Sequence, residues 1–122
     1  MSRILIIDDS PTETFRFREI LNRHGHNVLE ATNGADGISV AKAEVPDLIL
    51  MDVVMPGMNG FQATRQLTRG AETKHIPIVI VSTKDQETDR VWGKRQGAQD
   101  YLTKPVDESE LMKLINKLLS VA

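Results

Sequence analysis

Three short apolar runs constrain this chain more than any other feature: Ile4–Ile7, Leu48–Met51 and Ile78–Val81. None is interrupted by a polar residue. A strand with one wet face alternates polar and apolar side chains; an unbroken run of this length suits a parallel strand covered on both faces. Two weaker strands are predicted at Asn27–Ala31 and Asp100–Thr103. Helical spacing fills the gaps. Leu111, Met112, Leu114, Ile115, Leu118 and Leu119 form the stripe of a final helix. Phe17, Ile20 and Leu21 share one face of a first helix. Ser10 is placed to cap that helix, Pro11 suits its first turn, and Glu13 completes the pattern of a capping box, with Gly25 beyond its end. Spacing and flanking glycines put further helices at about 35–44, 60–69 and 86–96. The order is strand then helix, five times. That predicts an α/β fold, a (βα)5 doubly wound parallel five-stranded sheet with helices on both faces through right-handed crossovers.

The fold is expected to use the whole chain, residues 1–122, from Ile4 to about Val121, as a single domain with no output domain. Fifteen Lys+Arg against 17 Asp+Glu leave a formal charge of −2, so no bulk attraction to nucleic acid is expected. Cysteine is absent, which excludes disulfides, thiolate zinc sites and cysteine nucleophiles. The first apolar run is too short for a signal peptide or a membrane span, so a soluble cytoplasmic protein without membrane insertion is expected.

In open α/β sheets, ligands bind beyond the carboxyl ends of the strands, at the point where strand order reverses. The residues just past the runs are therefore the informative ones. Asp8 and Asp9 follow the first, Asp52 the second, and Ser82 and Thr83 the third; Lys104 and Pro105 follow the weak last strand. Three carboxylates on one rim repel one another, and a hard divalent cation relieves this; an all-oxygen set favours Mg²⁺. Lys104 and Ser82 could then hold phosphoryl oxygens as a charge and a donor. Asp52, alone at the end of a central strand, is the best candidate nucleophile, forming an acyl phosphate, with Asp8 and Asp9 as the metal pair. Taken singly, each of these residues reads as a cap or turn residue. Their joint placement on one edge carries the functional reading.

Ile6-Ile7-Asp8-Asp9-Ser10, Asp52-Val53-Val54-Met55-Pro56-Gly57-Met58-Asn59-Gly60 and Tyr101-Leu102-Thr103-Lys104-Pro105 resemble the receiver domains of two-component response regulators, over the whole chain. The resemblance implies a flavodoxin-like fold of the CheY type and a signalling switch rather than a turnover enzyme. It implies that Asp52 is phosphorylated, that Asp8 and Asp9 place Mg²⁺, and that Val54 lends it a backbone carbonyl. Ser82 and Lys104 would bind the phosphoryl group, Lys104–Pro105 would be cis, and Tyr101 would be a rotameric switch that turns inward when Ser82 moves. A histidine kinase or histidine phosphotransfer domain would be the donor. A downstream protein would bind the face made by the fourth helix, fifth strand and fifth helix of a monomer. Residues 59–68 and 84–98 look most like stand-alone regulators of type IV pilus twitching motility. Val53 stands where flagellar chemotaxis members carry Trp, and Ser82 where Thr is equally familiar.

Other chemistry fits less well. A hydrolase of the haloacid dehalogenase type needs D-x-D after its first strand and a long cap insertion; here the aspartates are adjacent. A flavodoxin-like FMN site needs a phosphate-welcoming first loop, which Asp8 and Asp9 would repel. His24, His26 and His75 have no metal spacing and read as surface or helix-end residues. Met51, Met55 and Met58 read as core filler. Gly34, Gly57, Gly60 and Gly97 read as loop and cap residues. Phe15 falls off the apolar face of its helix, either simply exposed or a contact for the donor. Trp92 reads equally as helix packing or as a partner hot spot.

Overall fold

The computed structural model describes residues 2–120. The elements run β1 (Arg3–Ile7), α1 (Pro11–Arg23), β2 (Asn27–Ala31), α2 (Gly34–Glu44), β3 (Leu48–Met51), α3 (Gly60–Arg69), β4 (Ile78–Ser82), α4 (Glu87–Arg95), β5 (Asp100–Thr103) and α5 (Glu108–Leu119). The expected end near Val121 lies outside the described residues. All five strands are parallel, in the order β2-β1-β3-β4-β5. The strand order reverses between β1 and β3, which defines the switch point.

The unbroken apolar runs have the expected cause. Alternate residues of β1 point to opposite faces. Ile4 and Ile6 pack with Phe17, Ile20, Leu21, Leu111 and Ile115 of α1 and α5. Leu5 and Ile7 pack on the other side with Ile38, Ala63 and Leu67 of α2 and α3. Burying a large aliphatic side chain contributes about 1.5–3 kcal/mol, so the two cores lock the strand ends in place.

α4 is different. Its only buried residue among those described is Gly93, which brings the helix backbone close to Ile80 and the Tyr101 ring. Its larger apolar side chains, Val91 and Trp92, are left exposed. The start of α1 also departs from expectation. Ser10 accepts from the Glu13 N–H, but the reciprocal half of the capping box is missing. The Ser10 N–H instead donates to Asp8 Oδ1 at 2.8 Å, which frees the Glu13 carboxylate.

Candidate functional site

The sheet register gathers the predicted residues on one rim. Ile7 pairs with Met51, so Asp8 and Asp52 leave neighbouring strands side by side. The Asp52 N–H donates to the Ile7 carbonyl at 3.0 Å, extending that ladder by one bond. Ser82 and Thr103 are partners at the end of the β4–β5 pair, which puts Lys104 one residue past the rim. Pro105 follows through a cis peptide, as expected.

Oxygen atoms of Asp8, Asp9 and Asp52 lie within 4.8 Å of one another, with Asp8 and Asp52 buried and Asp9 exposed. Lys104 Nζ donates to Asp8 Oδ2 at 3.0 Å and stands 3.6 Å from Asp52 Oδ1. Glu13 Oε1 is 3.8 Å from the same ammonium. Burial pushes the Asp52 carboxyl up to about 6, and the charges of Asp8 and Asp9 add to the rise; Lys104 and the Val53 N–H oppose it. Burial also works against the Lys104 charge, but the Asp8 hydrogen bond and the charges of Asp52, Asp8 and Glu13 outweigh it and hold the ammonium above its ordinary value. The carboxylates exceed the cation present to balance them, and their donors are all hard oxygens. That chemistry fits a small divalent cation.

Ser82 is fully buried, and its Oγ accepts from the Lys84 N–H at 3.1 Å. Val54, two residues past Asp52, is exposed at 57%. The Tyr101 ring is turned inward and buried, and its hydroxyl donates to the Lys84 carbonyl at 2.6 Å. The reason is local: Gly93 offers no Cβ to obstruct the ring, and Lys84 supplies an acceptor.

Sequence patterns do not reveal two contacts of the site. Glu13 sits at a capping-box position, yet its carboxylate faces Lys104. Arg90 donates to the Tyr101 carbonyl and the Thr103 hydroxyl and lies over the Tyr101 ring, 5.4 Å from its centre. Neither contact leaves a mark in local spacing. The other candidates fall outside the site. His24 Nε2 pairs with Glu108 at 3.1 Å on the surface, Met51 and Met55 are buried in the core, and Phe15 is exposed on α1.

The response regulator receiver domain model matches residues 4–116. Protein PilH of Pseudomonas aeruginosa is 66% identical over 120 residues, which covers 98% of this chain and 99% of that protein. Chemotaxis protein CheY4 of Vibrio cholerae superposes with a TM-score of 0.91 at 28% identity, covering 98% of this chain and 99% of that one. The receiver domain of a sensor histidine kinase from Pseudomonas aeruginosa superposes with a TM-score of 0.90 at 26% identity, covering 97% of both chains; that structure holds a magnesium ion in its active site cleft.

Proposed function

Because this chain belongs to the response regulator receiver domain family, a family of two-component signalling, we propose that it accepts a phosphoryl group on Asp52 from a histidine kinase or a histidine phosphotransfer domain. The observation that carries this reading is the buried Asp52 carboxylate at the switch point, 3.6 Å from Lys104 and beside two further carboxylates. An Asp52 oxygen attacks phosphorus, the bond from phosphorus to the donor nitrogen breaks, and its electron pair returns to the donor imidazole. Lys104 and Ser82 take phosphoryl oxygens, as a charge and as a hydroxyl donor. Asp8, Asp9, Asp52 and the Val54 carbonyl are the proposed holders of Mg²⁺. When bound, the ion neutralises charge on the transferring group. Tyr101 and Ser82 are the proposed switch, communicating with the face formed by α4, β5 and α5, where a downstream protein binds. The protein carries the phosphoryl group on its own side chain, so it is a switch and not a turnover enzyme. The identity to PilH over nearly its full length supports a role in type IV pilus twitching motility. No described helix is long and apolar enough to cross a membrane. Timed phosphotransfer from the purified histidine kinases of the source organism tests the pathway: the pilus-linked kinase should be the fast donor. Equal or faster transfer from an unrelated kinase would reassign the chain to another phosphorelay.

Mg²⁺ should raise the melting temperature of the unphosphorylated protein. Binding only to the native state stabilises by ~2.7 kcal/mol at a hundredfold excess over the dissociation constant, or roughly 10 °C for a domain of this size. Asp9→Asn should lose most of that gain while melting no lower without metal, since it removes a repulsion. An equal gain in the variant would remove Asp9 from the site.

The pocket mouth also sets an expected lifetime. Hydrolysis needs a water aligned with the phosphorus–oxygen bond and oriented by an acceptor. Exposed Val54 has no side-chain acceptor, and neither has Lys84. The phosphorylated protein should therefore decay slowly, and Val54→Asn with Lys84→Glu should speed decay by about tenfold or more. Decay of isolated phosphorylated protein measures this; unchanged or slower loss in the double variant would refute it.

A further inference from the structure

Eight arginines occur in the chain, and five of them are engaged. Arg3, Arg18 and Arg23 pair with Glu44, Glu30 and Glu108. Arg16 donates to the Val106 carbonyl, and Arg90 is bonded to β5. The guanidinium groups of the remaining three, Arg65, Arg69 and Arg95, have no carboxylate within 4.0 Å and no hydrogen-bond acceptor among the described residues, and all three residues are exposed. They are not scattered. Arg65 and Arg69 stand one turn apart on α3, and Arg95 follows Trp92 by three residues on α4, a spacing that shares a helix face.

Trp92 is 48% exposed. With Phe61, Arg65 and Gln96 it lines a cleft of about 240 Å³ between the two helices. A wider cleft on the other flank of α3 is bordered by Met58, Arg65 and Arg69, so Arg65 forms the ridge between two hollows. The surface is held in shape. The Thr68 hydroxyl donates to the Gln96 carbonyl at 2.6 Å, tying the end of α3 to the end of α4. Asn59 and Gln62 close a full capping box at the start of α3. On α4 itself, the Asp89 carboxylate is turned to the Gln86 N–H.

From these observations we propose that the α3–α4 face docks an acidic protein segment carrying one apolar anchor. The anchor enters the cleft beside Trp92, and flanking carboxylates pair with Arg65, Arg69 and Arg95. The charge pattern selects this occupant. A chain of net charge −2 repels acidic partners at long range, so three unpaired guanidiniums on one face mark where that repulsion is reversed. Guanidinium matches a carboxylate with two parallel hydrogen bonds and keeps its charge when desolvated. The cleft is smaller than the ~300–1,000 Å³ of ordinary small-molecule sites, and suits one side chain. Nucleic acid would want a longer basic stripe with several stacking aromatics. A rigid aromatic and a rigid backbone reduce the ordering cost of docking. This surface is separate from the Asp52 pocket, so the inference does not rest on phosphorylation.

The test is a random peptide display library panned on the unphosphorylated protein in Mg²⁺-free buffer. Selected peptides are then synthesised and titrated against the fluorescence of Trp92, the single tryptophan in the chain. Enrichment of Asp and Glu around one large apolar residue is expected, with a blue shift on binding and affinity that falls as salt rises. Arg65→Gln with Arg69→Gln should weaken binding by about tenfold or more, and so should Trp92→Ala followed by calorimetry. Melting curves should be close to wild type, since all three side chains are exposed. Selection of peptides without acidic residues, no selection at all, or binding untouched by these variants would overturn the proposal. So would tighter binding of a single-stranded oligonucleotide than of the selected peptides.

Discussion

Asp52→Asn is expected to abolish phosphoryl incorporation while making the metal-free protein more stable at pH 7. The first effect follows from chemistry. An amide cannot form the acyl phosphate, and the other carboxylates are poorly placed to substitute: Asp8 is engaged by the Ser10 N–H and Lys104, and Asp9 is exposed. Incubation with Mg²⁺ and a small acyl phosphate, borohydride trapping and mass spectrometry should find one modified residue in the wild type, and at least a thousandfold less product in the variant, on the order of losing a nucleophile. Full labelling of the variant would sink the assignment. The second effect follows from linkage. Burial lifts the Asp52 carboxyl from 3.8 to about 6, so the folded protein holds this proton more tightly than the unfolded chain does. Ionised Asp52 therefore costs stability above about pH 6, and the cost disappears as pH falls below 3.8. The full shift would be worth ~3 kcal/mol at most, and burying an amide with incomplete hydrogen-bond partners offsets part of it, so a gain of about 1 kcal/mol is expected for the variant at pH 7. Its melting advantage should shrink on acidification and reverse when saturating Mg²⁺ favours the wild type. A variant less stable than wild type at pH 7 without metal would show that Lys104, not burial, governs this carboxylate.

Much of the site was legible because strand-end chemistry sits at fixed offsets from apolar runs that are easy to see. β2, β3 and β5 begin and end at the expected residues, and β1 and β4 differ by one. These runs are legible because both faces of the sheet are covered, which removes polar interruptions. α4 was harder to bound, since its one buried residue is Gly93 and no periodic stripe marks its face. Strand order was not legible from periodicity at all. Apolar spacing says that a strand is buried, not which strand lies beside it; the order was available only through likeness to receivers. The Ser10–Glu13 pattern misled for a similar reason. A capping box is a local rule, and Asp8 and Lys104 compete for its members from outside the helix. The inward Tyr101 likewise depends on space left by Gly93, eight residues away in sequence but adjacent across the α4–β5 contact.

Gly60→Ala is expected to cost about 3 kcal/mol or more and to disturb phosphorylation at Asp52, although Gly60 touches no phosphoryl oxygen. Sequence reading made this glycine a loop or cap residue; its position in the fold gives it a stricter role. Gly60 opens α3, and its N–H donates to the Val53 carbonyl at 2.9 Å. The helix start is thereby pressed onto the peptide that follows Asp52. A methyl group at Gly60 would overlap the Asp52 carbonyl oxygen and sit 2.8 Å from Asp52 C and Val53 Cα. All three atoms are backbone, so no side chain can rotate away. Either α3 moves off the sheet, opening the core around Ala63 and Leu67, or the end of β3 moves and carries Asp52 with it. Overpacking usually costs about 1–3 kcal/mol, and a backbone-on-backbone clash belongs at the upper end or above. Gly25→Ala is the matched control. Gly25 has φ of 85° and nothing within 4 Å of an added methyl, so its cost is conformational alone, about 1–2 kcal/mol. Chemical denaturation should place Gly60→Ala well below Gly25→Ala in stability. Labelling by the small acyl phosphate should fall in the first variant and stay near wild type in the second. Equal stabilities, or an undiminished labelling rate in Gly60→Ala, would mean that the helix start and the phosphoacceptor strand are not coupled through this contact.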